Sequence, residues 1–76
     1  MSSHSAPITM GKYLVSPLAR QTDEGRYAPS VSIRTGRGSA THDRVLRFTH
    51  HFATAREALR YAADQGRSWV VDPQLR

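Results

Sequence analysis

The chain contains no cysteine, so no disulfide and no thiolate metal site can reinforce the fold, and thiol chemistry is excluded. No apolar run approaches the roughly 18 residues of a membrane span. Large side chains are scarce as well, with one Trp and two Phe in 76 residues, which points to a single small domain whose core is only just sufficient. The opening stretch, MSSHSAPITM, lacks the charged and apolar regions of a secretory signal, and a cytoplasmic location is expected. Acids are outnumbered, six against eleven Lys and Arg, for a formal net charge of +5 and a pI near 10.8. Lysine itself is nearly absent: ten of the eleven cations are Arg. Arg pairs bidentately with phosphate, so the excess suits a nucleic-acid partner; coding by a GC-rich genome accounts for it equally well.

The clearest local signal is helical. Thr54 and Glu57 form a T-x-x-E capping box that starts a helix at Ala55. Ala55, Ala58, Leu59, Ala62 and Ala63 then recur as one apolar stripe, with Arg56, Arg60 and Asp64 on the other side. Gly66 is the predicted stop. Beyond it, SWVV is read as a short strand or an extended tail, with Trp69 closing the end of the core.

Ahead of the helix the periodicity changes to that of strands. KYLVSPLAR suits a strand in which Pro17 argues for an edge position or a strand end, and TDEGR makes a turn. In RYAPSVSIR, Tyr27, Pro29, Val31 and Ile33 share one face while Ala28, Ser30, Ser32 and Arg34 share the other. Residues 35–43, with two glycines, form a loop, and RVLRFTHHF makes a third strand with Leu46 and Phe48 opposite Val45 and Arg47. The expected architecture is α+β: a three-stranded antiparallel meander with one helix packed on one face, and a possible short C-terminal strand. Residues 1–10 are expected as a disordered tail, 11–72 as the domain and 73–76 as a second tail.

The helix covers one sheet face, so the other is where function is sought. Arg26, Arg34, Arg37, Arg44 and Arg47 fall in a stretch whose only acid is Asp43. Together with Ser32 they are the candidate nucleic-acid contacts, DNA before RNA. His50 and His51 are adjacent and point to opposite faces of a strand, which argues against a shared metal ion. Asp23 and Glu24 sit in a turn, and GRG at 36–38 lacks the spacing of a phosphate loop, so no catalytic residues, metal or cofactor are expected and no small-molecule substrate is implied. The alternative function is a protein-interaction or self-associating module that pairs through an exposed strand edge, at the Pro17 strand or the C-terminal segment.

Two resemblances follow from these residues. GRYAPSVSIR followed by FATAREALRYA, with Phe52, Thr54, Glu57 and Ala58 at the helix start, resembles the arm-type DNA-binding domains of phage integrases. Those domains lay a three-stranded sheet in the major groove, which would assign Ser32, Arg34 and Arg47 to DNA contact. Over nearly the whole length from Tyr13, ending in F-x-T-x-x-E-A and G-x-x-W from Phe52 to Trp69, the chain resembles small uncharacterised bacterial proteins, a likeness that implies no activity.

Overall fold

A computed structural model describes residues 2–36 and 41–72, so the loop residues 37–40 and the expected tail at 73–76 lie outside the described residues. Strands β1 (Ser2–His4), β2 (Ile8–Met10), β3 (Tyr13–Gln21), β4 (Tyr27–Thr35) and β5 (His42–Arg47) precede one helix, α1 (Ala55–Val71). The class is α+β, and the sheet is antiparallel throughout. It has five strands where the sequence pattern predicts three. The two additional ones come from the segment expected as a tail: β1 pairs with the second half of β3 and β2 with the first. Gly11, at φ +60°, opens the two-residue turn that folds β2 onto β3.

Proline explains the break in that edge. The step lies between His4 opposite Leu18 and Ile8 opposite Val15, so Ser5, Ala6 and Pro7 stand against only Ser16 and Pro17. Pro17 has no N–H to give, and its carbonyl accepts a long bond from the Ser5 N–H at 3.4 Å. A bulge at that point resolves the mismatch. β3 is therefore interior to the sheet, between the broken strand and β4, and Pro17 sits mid-strand, so neither the edge position nor the strand end expected for it holds.

The alternation in β4 appears as predicted. Val15, Pro17 and Ala19 of β3 and Pro29, Val31 and Ile33 of β4 are buried on one face, and α1 lies over it. Thr54 caps the helix: its hydroxyl oxygen accepts from the Glu57 N–H at 3.2 Å, and the hydroxyl donates to the Glu57 carboxylate at 3.0 Å. Gly66 does not end the helix. It lies inside, buried, and a methyl added there would stand 2.6 Å from Val15 Cγ1 and 3.0 Å from Val31 Cγ2. The missing side chain lets helix and sheet approach, in a helix where Gly costs roughly 1 kcal/mol relative to Ala. Helix then continues through Ser68–Val71 in place of the short strand or tail, and Trp69 meets Tyr13 edge to face at a centroid distance of 5.9 Å.

Gly66→Ala is expected to destabilise the domain by up to about 2 kcal/mol, an overpacking cost of about 1–3 kcal/mol less the roughly 1 kcal/mol gain in helix propensity. Val15→Ala in the same chain is expected to relieve part of that loss by making room for the new methyl. Urea denaturation of the two single variants and the double variant measures the coupling; a Gly66→Ala protein more stable than the parent by the full propensity gain of about 1 kcal/mol would rule out the close approach.

Candidate functional site

The sheet face turned away from α1 is read directly from the register. Its positions are His4 on β1, Thr9 on β2, Leu14, Ser16, Leu18 and Arg20 on β3, Ala28, Ser30, Ser32 and Arg34 on β4, and Asp43, Val45 and Arg47 on β5. Cross-strand rows run Leu18–Ser30–Arg47, Ser16–Ser32–Val45 and Leu14–Arg34–Asp43. Small residues on the central strand leave a shallow depression floored by Ser16, Ser30 and Ser32 and flanked by Arg20 and Arg47. Leu18 and Val45 add apolar surface, with Val45 56% exposed. Phe48 borders one end, but its ring packs edge to face on Tyr61 at 5.3 Å, on the helix side.

The six candidates separate. Ser32, Arg34 and Arg47 share the open face. Arg34 is not a free cation there: Nε donates to Asp43 Oδ1 at 3.0 Å and an Nη atom to Oδ2 at 3.3 Å, a bidentate pair. The hydrogen bond first and the charge second raise the Arg34 pKa above its ordinary value. Arg44 lies on the other face, aligned with Ile33, and its guanidinium stands 5.7 Å from the Trp69 ring centroid. Arg26 precedes β4 and donates to the His51 carbonyl at 3.2 Å, which ties the turn to the segment before the helix. Arg37 lies outside the described residues.

Arg20 is the residue that sequence reasoning missed. Its signal was available: Val15, Pro17 and Ala19 set the buried phase of β3, so Arg20 falls in the opposite one with Ser16. Among the described residues neither Arg20 nor Arg47 has a carboxylate partner. No group of three or more His, Asp or Glu gathers at metal-binding distance among the described residues, and no helix is long and apolar enough to cross a membrane.

A family model described as a domain of unknown function, DUF6566, matches residues 3–74. The chain belongs to the DUF6566 family. The match embraces β1 and β2 as well as the helix, so the DUF6566 domain takes in all six elements of the fold almost completely. It lends no support to the integrase likeness, from which the five-stranded DUF6566 sheet also departs in strand number. No curated protein and no solved structure is significantly similar to the chain.

The opposed placement of the arginines gives an optical test. Trp69 is the only tryptophan, and Arg44→Ala is expected to uncover its ring and move its emission to longer wavelength. Arg20→Ala and Arg47→Ala, on the far face, are expected to leave the emission and the stability unchanged, the latter within about 0.5 kcal/mol. Equal emission shifts in all three variants would contradict this division of faces.

Proposed function

We propose that this domain binds nucleic acid through the open sheet face, with duplex DNA as the preferred form. The observation that carries the proposal is the composition of the depression: three serine hydroxyls beside two arginines that lack carboxylate partners among the described residues. Hydroxyls and guanidinium groups so arranged contact phosphate oxygens, which position a protein on a duplex. The three strands that carry the depression, at about 4.8 Å spacing, span roughly 10 Å against the roughly 12 Å width of the major groove, with the split strand β1/β2 beyond them as a fourth. The open-face positions of β3, β4 and β5 carry no aromatic side chain, and His4 of β1 is the one imidazole beside them, whereas sheet faces that hold single strands stack bases on several aromatic rings. This favours duplex backbone contact over single-stranded RNA.

Arg20 and Arg47 are the principal contacts in this proposal, with Ser16, Ser30 and Ser32 beside them. Arg34 is a lesser one, because Asp43 cancels its charge at short range. Binding to a random duplex of about 20 base pairs is expected at ~50 mM salt and to weaken steeply as salt rises. Arg20→Ala and Arg47→Ala should each reduce the salt slope by about 1. Asp43→Asn should raise affinity by releasing Arg34. Fluorescence anisotropy with labelled duplex measures all three; no binding at low salt, or a slope indifferent to both arginines, disproves the proposal.

A further inference from the structure

The two edges of the sheet differ. On one side the edge is broken into β1 and β2 by the bulge at Ser5–Pro7. On the other, β5 runs unbroken from His42 to Arg47 with nothing paired to its outer side among the described residues. Its hydrogen-bonding phase follows from one contact. Phe48 N–H donates to the Pro29 carbonyl at 3.2 Å, continuing the register of Ser30 with Arg47. Directly opposite residues exchange bonds at every second position of an antiparallel ladder. Leu46, Arg44 and His42 therefore bond to β4, and the N–H and C=O groups of Asp43, Val45 and Arg47 point outward.

We infer that β5 pairs antiparallel with β5 of a second copy, with Val45 on the two-fold axis. In this register Val45 faces Val45, Arg47 faces Asp43 of the second copy, and Asp43, which also holds Arg34 of its own chain, faces Arg47 of the second copy. Those three positions are the ones whose backbone groups point outward, so the seam would hold six main-chain hydrogen bonds. Charged side chains ordinarily discourage edge pairing. Here the order Asp43, Val45, Arg47 is self-complementary, and opposite charges directly across a strand pair are favourable while like charges are not. A shift of two residues either way removes both charge pairs; one such shift sets Arg44 against Arg44. The exposed Val45 side chain meets its own copy at the axis, which gives an apolar residue exposed at 56% a partner. A two-fold axis normal to the sheet puts both helices on one side and joins the two open faces into one surface eight strands wide.

The pairing does not depend on nucleic acid, and Arg47 would be shared between duplex and second copy if both proposals hold, so the test uses protein alone. Sedimentation equilibrium from about 10 μM to about 1 mM is expected to show a reversible, weak monomer–dimer system. Val45→Pro removes an outward N–H that β4 does not use, and is expected to leave the circular dichroism intact and the protein monomeric. The register is tested by mixing. Asp43→Arg presents two arginines at the seam and Arg47→Asp two aspartates, so each alone should associate at least about tenfold more weakly, while the mixture recovers dimer. Recovery on mixing supports the inference even if Val45→Pro fails to fold. A parent protein that is monomeric at about 1 mM overturns it, as does a dimer that persists in folded Val45→Pro, or charge variants that do not prefer each other.

Discussion

The distance between helix and sheet is the constraint on which the rest of this structure depends. It is set at Gly66, where the space of a single methyl is already taken by Val15 and Val31. A helix this close leaves no room beneath it for large side chains, so its buried positions are Ala58, Ala62, Ala63, Gly66 and Val70. The largest fully buried side chains of the sheet are correspondingly modest: Ile33, Val15, Val31, Pro17 and Pro29. The aromatic residues are displaced to the two ends. Tyr13 and Trp69 close one, and Phe48, Phe52 and Tyr61 close the other, with Phe52 and Tyr61 centroids 5.2 Å apart. Ring contacts at the ends supply apolar burial that the thin centre cannot.

The same face that accepts the helix carries two buried prolines, and each shapes a neighbouring strand. Every second residue of a strand turns its hydrogen-bonding groups to the same side. Pro17 thus withholds a donor from the β1/β2 side, where the edge strand breaks, and Pro29 withholds one from the β5 side, next to Phe48 just past the end of β5. Packing and pairing are coupled here: proline suits the shallow space under the helix, and its missing N–H limits how far the adjacent strands extend. Beyond β5 and Phe48 the chain rejoins the sheet through the mutual main-chain bonds of Tyr27 and Phe52, at 2.8 and 2.9 Å, which deliver it to the helix cap.

Much of this was legible in the residues, and the failures share a cause. The alternation in Tyr27–Ile33 and the cap at Thr54 are local signals, and both appear where the pattern puts them. Gly66 misleads because a glycine that stops a helix and one that admits a close neighbour look alike in sequence; only the position of Val15, far earlier in the chain, tells them apart. Strands β1 and β2 are three residues each, too short for alternation to register, and they exist because β3 offers them a ladder. Arg44 shows a different lapse. The phase that separates Leu46 from Arg47 also separates Arg44 from Arg47, and counting charge over a stretch of sequence discards that phase.

Charge counted over a whole chain is a poor measure of the field at one face. The domain measures 38 × 25 × 17 Å, so even its thinnest dimension is about twice the roughly 8 Å over which physiological salt screens a charge. Arg56 and Arg60 on the outer side of α1 therefore add little to the potential at the open face, whatever they add to the pI. On that face the formal sum is three arginines and one aspartate, and the aspartate is bound to the central-strand arginine. What remains is two cations beside a serine floor. That arrangement is decided by strand phase and by one ion pair, and the Arg-rich composition bears on it only through the residues that phase brings there.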